Sequence, residues 1–229
     1  MQILKKIHWW LIDYMYMFLG YSRSAIYRSL PKNYNNENNE KGNIVLIPGL
    51  FTSWHFLKNI GDYFASSGYR IHIVPTISYN HRAISLEADE LHQYLEEHGL
   101  INVKIIAHSK GGLVGKYYME NENILDHRVT KLIAIATPFS GSYLAGVSPL
   151  KAMKELSPDS QLISDLNKKN KNNINTVSIF PSHDNHVKHK NKSFLKGAKN
   201  IELETKGHHK ILFEKELVEV LESELKFNF

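Results

Sequence analysis

Short apolar runs alternate along the chain with stretches whose apolar positions recur at helical spacing. The runs are rich in Ile, Val and Leu and are bounded by Gly, Pro and Asn, which predicts buried strands. They lie at residues 43–51, 70–74, 105–108, 131–138, 175–180 and 201–203. Helices are predicted at 56–67, 85–97, 111–119 and 213–225. This alternation predicts an α/β fold, with a mostly parallel sheet covered by helices on both faces.

Two segments depart from this alternation. Residues 139–172 contain no strand, which indicates an insertion before the next strand. Residues 32–42 are polar and Asn-rich, with little to bury, which predicts a linker. We therefore expect an N-terminal helical segment at 1–31, the linker, and one domain at 43–229.

The N-terminal segment is apolar and aromatic. Its apolar run at 7–19 is too short to span a membrane and carries Asp13 in its middle, and no small-residue cleavage site follows it. Two interpretations remain open. The helix packs on the core or on a partner, or residues 1–28 lie in a membrane interface with Trp and Tyr at the headgroups. The flanking basic residues Lys5, Lys6, Arg23 and Arg28 suit the second interpretation.

Composition excludes some classes of function. The chain has 229 residues, enough for one domain with a substantial core, and no cysteine, so disulfides and cysteine-based sites are excluded. The net charge of +5 fits a Lys-rich solvated surface or attraction to anionic lipid. No basic stripe with interleaved aromatic residues is present, so we expect no nucleic-acid partner. A cytoplasmic or peripherally membrane-associated location is favoured.

The segment Ala107-His108-Ser109-Lys110-Gly111 follows an apolar strand and precedes a helix. A small residue two positions before the serine and a glycine two positions after it are typical of a tight strand–serine–helix turn. Such a turn raises the hydroxyl above the sheet edge, at a helix N-terminus that stabilises developing negative charge. The alternative interpretation of Ser109 is an ordinary helix cap.

Further along the chain, Asp184 follows the strand at 175–180, and Gly207-His208-His209 follows the strand at 201–203. Serine, acid and histidine in this order, each just after a strand, resemble the α/β-hydrolases of the lipase and esterase type over roughly residues 43–225. The segments at 47–51, 136–142 and 156–162 resemble the oxyanion strand, the strand after the elbow and the cap of such lipases. Pro48 and Ala107 depart from the family pattern, which has His and Gly there.

The resemblance implies roles for five residues. Ser109 is the expected nucleophile, Asp184 the acid and His208 the base, and the backbone N–H groups of Leu50 and Lys110 form the expected oxyanion hole. His209 is the rival base, Phe51 the rival oxyanion donor, and Asp159 and Asp165 are weaker candidates for the acid. Residues 139–172 are the expected cap.

A metal site is the competing interpretation of one histidine cluster. His183, His186 and His189 surround Asp184, but a spacing of three along a loop is not a recognised zinc pattern. We therefore expect no metal and no cofactor.

The predicted function is a serine-dependent carboxylic-ester hydrolase that acts through an acyl-enzyme on a small-molecule acyl ester or lipid. An acyltransferase or thioesterase with the same triad is the nearest alternative. A non-catalytic lipid- or partner-binding protein of this fold is an alternative of a different class.

Overall fold

A computed structural model describes residues 2–35, 41–121, 127–142, 145, 151–187 and 192–226. Its centre is a six-stranded, all-parallel sheet in the order β2-β1-β3-β4-β5-β6. The strands are β1 (Asn43–Ile47), β2 (Arg70–Ile73), β3 (Val103–His108), β4 (Val129–Ile135), β5 (Thr176–His183) and β6 (Lys199–Lys206). The predicted parallel sheet is confirmed.

Helices follow most of the strands. They are α1 (Gln2–Ile26), α2 (Lys58–Ser66), α3 (Ile84–Glu97), α4 (Lys110–Asn121), α5 (Lys151–Lys154), α6 (Gln161–Lys168) and α7 (Lys215–Lys226). β6 is longer than its apolar run predicted, because it is an edge strand in which buried Leu203 and Thr205 alternate with exposed Glu202 and Glu204. Because the exposed positions of this alternation are polar, the sequence shows no continuous apolar run along most of β6.

The core lies on both faces of the sheet. Val45 and Ile105 point to the face covered by α3 and α4, where Leu91 and Leu113 are fully buried. The neighbouring strand residues point to the opposite face, which packs against α2 and α7. Coverage on both faces explains why the central strands are apolar runs rather than alternating ones.

The N-terminal helix α1 lies against this domain. Gly20 allows its close approach, because a Cβ there would lie 2.5 Å from the Phe56 ring. Tyr16 packs on Phe213, with ring centroids 5.0 Å apart. In the segment expected to be a linker, Lys32–Asn35 forms a 3-10 turn that buries Tyr34, whose hydroxyl donates a hydrogen bond to Asp62. Residues 36–40 of that segment lie outside the described residues.

The segment expected to be a cap contains α5 and α6. Residues 143–144 and 146–150 of it lie outside the described residues.

Candidate active site

The loops that leave β1, β3, β5 and β6 meet at the carboxyl edge of the sheet. In parallel strands these ends lie on one side, and this edge is where open α/β sheets bind ligands. The pairing of Ile47 with Ala107 sets the end of β1 beside the end of β3. The structure therefore brings Leu50, Ser109, Asp184 and His208 to one edge.

Ser109 occupies the turn between β3 and α4 in a strained conformation. Its φ is +51°, a left-handed value that a non-glycine residue rarely adopts. Its N–H donates to the carbonyl of Ile135 at 2.8 Å, and its own carbonyl accepts from the Thr137 hydroxyl at 2.9 Å. These bonds hold Ser109 in its strained conformation at the N-terminus of α4, since such strain persists only where the surrounding structure fixes it.

The glycines around Ser109 make the turn possible. A Cβ on Gly111 would lie 2.6 Å from the Ile47 carbonyl oxygen, and one on Gly112 would lie 2.0 Å from the Thr137 hydroxyl oxygen. The helix therefore packs directly on the β1 and β4 ends, which only glycine permits.

Asp184 and His208 form a buried hydrogen-bonded pair. The Nδ1 of His208 lies 2.8 Å from the Oδ2 of Asp184, and both side chains are nearly inaccessible. The other oxygen, Oδ1, accepts the N–H groups of His186 and Val187 at 2.8 and 2.7 Å. The carboxylate is thus fixed by its own loop, and it orients the imidazole.

Burial sets the protonation of this pair. Burial raises the pKa of Asp184 to about 6, against the lowering effect of the backbone hydrogen bonds from Val187 and His186. Burial lowers the pKa of His208 to about 3. At neutral pH the pair is therefore a carboxylate and a neutral imidazole, the state in which a histidine accepts a proton.

Ser109 and His208 line one cavity of about 330 Å³. A direct hydrogen bond between the Ser109 hydroxyl and the His208 ring is not among those that the described residues form. Much of the cavity wall is apolar, and Met17, Leu50, Met153, Leu156 and Val187 contribute to it.

Leu50 and Lys110, the expected oxyanion donors, lie close to Ser109, since Leu50 lines the same cavity and Lys110 is the next residue in the chain. A Cβ on Gly49 would lie 3.2 Å from the Cβ of Ser109, so the loop after β1 passes directly beside the serine. Neither N–H has a hydrogen-bond acceptor among the described residues. Phe51, the rival donor, has a φ of +57° in a turn closed by the Thr52 N–H and the Gly49 carbonyl.

The Lys110 side chain supports the loop after β1 through a chain of hydrogen bonds. Its buried Nζ donates to the backbone carbonyls of Asn80 and Arg82 and to the Asn80 side-chain oxygen, at 3.0, 2.6 and 2.7 Å. The Asn80 amide in turn donates to the Pro48 carbonyl at 2.6 Å. Burial lowers the pKa of Lys110 to about 8. The sequence analysis used only the backbone of Lys110 and missed this role of its side chain.

His209, the rival base, has a carboxylate of its own. Its Nδ1 lies 3.2 Å from the Oδ2 of Asp13 in α1, and the Asp13 Oδ1 accepts the N–H groups of His209 and Lys210 at 2.7 and 2.9 Å. Burial would raise the pKa of Asp13, but the His209 imidazole and the backbone donors hold it below its ordinary value. Asp184 therefore orients His208, and Asp13 orients His209.

Asp13 is a further residue beside the candidate site whose contacts the sequence analysis did not predict. It is fully buried beside the histidine loop, although it lies about 170 residues before Asp184 in the sequence. In the sequence it interrupts an apolar run, and that interruption is the one signal it leaves: a charged residue inside an apolar face requires a buried partner.

Two further histidines contact His208 of the Asp184–His208 pair. His186 stacks on His208 with centroids 4.7 Å apart, and burial lowers its pKa to about 3. His108 donates from Nε2 to the His208 carbonyl at 3.0 Å, and burial lowers its pKa well below the ordinary value. Of the three histidines weighed as metal ligands from the sequence, His183 packs on Trp9, and His189 lies outside the described residues.

The weaker candidates for the acid lie elsewhere. Asp159 is exposed just before α6, and Asp165 is exposed on α6, where it accepts hydrogen bonds from Gln161 and Lys168. Neither is hydrogen-bonded to a histidine among the described residues.

Comparison by sequence gives one partial match. Residues 65–157 match a family model described as a domain of unknown function (DUF7379). No curated protein matches the chain in sequence.

Solved structures match most of the chain in fold. The lipase BlEst2 of Bacillus licheniformis, in its mature form, has a TM-score of 0.67 at 17% identity, covering 86% of this chain and 96% of its own. A bromoperoxidase from Bacillus anthracis has a TM-score of 0.61 at 18% identity, covering 81% and 92%. The α/β hydrolase enzyme MGS-MChE2, from a metagenome of Mar Chica lagoon sediments in Morocco, has a TM-score of 0.56 at 20% identity, covering 81% and 91%. The chain therefore has the α/β-hydrolase fold.

Proposed function

We propose that the protein is a serine-dependent carboxylic-ester hydrolase. The observation that carries this proposal is the buried Asp184–His208 pair facing the same cavity as the strained Ser109. His208 takes the proton of the Ser109 hydroxyl as it attacks the ester carbonyl, and Asp184 stabilises the imidazolium that forms. The Leu50 and Lys110 N–H groups bind the oxyanion. Collapse of the tetrahedral intermediate breaks the ester C–O bond, and the departing alcohol takes the proton from the His208 imidazolium, which leaves the acyl group on Ser109. Water that gives a proton to His208 then attacks the acyl-enzyme, which releases the carboxylic acid and restores the Ser109 hydroxyl.

A lipase-type substrate with an acyl chain is supported by the cavity wall. Met17 comes from α1, Leu50 from the oxyanion loop, and Met153 and Leu156 from the segment around α5. Apolar side chains from three segments favour an alkyl chain over a polar group at this position. A screen of acyl esters by chain length gives the preferred length.

The deciding experiment is labelling with a fluorophosphonate probe, which reacts with an activated serine. We expect labelling of the wild type and of the matched control Ser164→Ala, which changes an exposed serine on α6. Ser109→Ala and His208→Ala are expected to lose it, while His98→Gln, at an exposed histidine, keeps it. Labelling of Ser109→Ala would reject the proposed nucleophile. Absence of labelling in the wild type would favour a binding protein of this fold.

We also propose that the outer face of α1 docks on an anionic lipid surface. Leu11, Met15 and Phe18 are 61%, 70% and 73% exposed along one side of the helix. A helix with this much uncovered apolar surface marks an interaction site. Lys5 and Lys6 are exposed near its start, and Arg28 is exposed after its end, which favours anionic headgroups. No helix among the described residues is long and apolar enough to cross a bilayer.

This docking would bring the cavity close to the lipid surface, because Met17 and Tyr21 of the same helix line the cavity. Flotation with phosphatidylglycerol and phosphatidylcholine vesicles tests it. We expect wild-type protein to float with the anionic vesicles and Phe18→Glu to lose most of that binding. Ile174→Glu is the matched control, since Ile174 is 69% exposed elsewhere. Equal binding of both variants, or a dimer in solution that Phe18→Glu disrupts, would contradict lipid docking.

A further inference from the structure

A second cluster of ligating side chains lies beside the Asp184–His208 pair, and the proposed hydrolysis does not use it. It consists of Asp13, His186 and His209, whose ligand atoms all lie within 4.8 Å of one another. The three residues come from α1, from the loop after β5 and from the loop after β6. They meet only in the folded protein.

Asp13 carries a buried carboxylate in this cluster. The side chain is fully buried, and no lysine or arginine of the described residues lies within ion-pair distance of it. Its partners are two backbone N–H groups and one imidazole. Buried carboxylates are hydrogen-bonded, paired with a cation or coordinated to a metal, because an uncompensated buried charge is strongly unfavourable.

The arrangement of donor atoms suits a metal ion. The Asp13 Oδ1 accepts the two backbone N–H groups, and Oδ2 is hydrogen-bonded to the Nδ1 of His209 at 3.2 Å, so a metal ion bound between these two atoms would replace that hydrogen bond. Two ligands of a tetrahedral zinc ion, with bonds of about 2.0–2.1 Å, lie about 3.3 Å apart. The observed separation is close to this spacing.

His186 supplies the third donor. Its Nε2 is buried and has no hydrogen-bond partner among the described residues. Its ring packs edge-on against His209, with centroids 4.9 Å apart. A buried ring nitrogen without a partner loses its hydration without compensation, and a metal ion would supply the missing partner.

We propose that Asp13, His186 and His209 bind a zinc ion, with water as the fourth ligand. The ion would join α1 to the two loops that carry Asp184 and His208. Its role is structural, since the three ligands tie together segments that are distant in the chain. The separations of up to 4.8 Å require the ligands to draw closer when the ion binds.

The test is titration of untagged, chelator-treated protein with ZnCl₂, with binding measured by calorimetry. Metal analysis after gel filtration then measures the zinc retained per chain. We expect one zinc ion per chain and a higher Tm in its presence. Co²⁺ in place of zinc should give the visible absorption of a tetrahedral site. These readouts do not depend on the hydrolase proposal.

His186→Gln is the deciding variant, because the Nε2 that it removes makes no hydrogen bond to a described residue. We expect it to weaken zinc binding by at least about tenfold, as loss of a ligand or its support does. Asp13→Asn should do the same. His81→Gln and His98→Gln, at exposed positions, control for surface binding. No zinc binding by the wild type, or equal affinity in His186→Gln and the controls, would overturn the proposal.

Discussion

Asp13 and His209 are 196 positions apart in the chain, and the Asp13 carboxylate accepts the His209 backbone N–H at 2.7 Å. The same oxygen accepts the N–H of Lys210. α1 therefore holds the loop that carries His208, the proposed base, and is part of the site.

This relationship predicts that Asp13→Ala destabilises the protein. Two buried backbone donors lose their acceptor, at a cost of about 2–4 kcal/mol in the free energy of unfolding. Asp13→Asn keeps an oxygen for them and should cost less. Urea denaturation with a chelator present measures both without any contribution from metal. Leu11→Ala, on the exposed side of the same helix, is the control. Equal stability of Asp13→Ala and this control would show that the carboxylate does not hold the loop.

The glycines that follow Ser109 in α4 predict a steric effect of substitution on stability. In Gly111→Ala the new Cβ meets two backbone oxygens, of Ile47 and Pro48, at 2.6 and 2.7 Å, so β1 itself must shift. We expect a loss of about 2–3 kcal/mol in the free energy of unfolding. Gly115→Ala, one turn along α4, meets chiefly a flexible Leu132 methyl group at 2.7 Å and should cost less. The order of the two Tm values checks the prediction, and the reverse order would contradict it.

The hydrogen bonds of the Lys110 side chain predict an effect on rate. In Lys110→Met the hydrogen bonds to Asn80 and Arg82 are lost, and with them the support for the Pro48 loop that carries Leu50. A misplaced oxyanion donor should slow probe labelling of Ser109 about tenfold or more. Lys116→Met removes a buried lysine on the same helix that bonds instead to Asn173. It should lower the Tm with little change in labelling rate. A similar slowing in both variants would mean that general loosening is responsible.

His72 predicts acid sensitivity of the fold. It is 4% exposed, and burial, followed by the positive charges of Arg70 and His98, lowers its pKa from 6.5 to about 4. Its ring nitrogens face Asn43 and the Tyr94 hydroxyl. As the pH falls, His72 is protonated in the unfolded chain before it is protonated in the folded protein. The stabilisation that neutral His72 gives the fold is therefore fully present above pH 6.5. It is lost as the pH falls towards 4, by about 3 kcal/mol in total.

His72→Gln removes this titration. The free energy of unfolding of the wild type minus that of the variant should decrease as the pH falls from 6.5 to 4. Urea denaturation at each pH measures it. A constant difference would show that His72 is already protonated in the fold or is accessible to water.

Most elements of the sheet were predictable because central parallel strands are buried on both faces. Residues 44–47 and 105–107 are continuous apolar runs for this reason. The extent of β6 was not predictable from its apolar run alone, because half of its side chains face solvent. The Ser109 turn left a local signal, since the small residues that it needs are adjacent in sequence.

The sequence by itself determined the class of fold, the strained serine turn and the chain order of Ser109, Asp184 and His208, because each depends on neighbouring residues or on the order of strands. Tertiary structure alone decided which histidine pairs with which carboxylate. His208 and His209 are adjacent, and their partners come from β5 and α1, which meet at one sheet edge only after folding. No local pattern records such a contact, since its free energy arises from burying groups that are far apart in the chain.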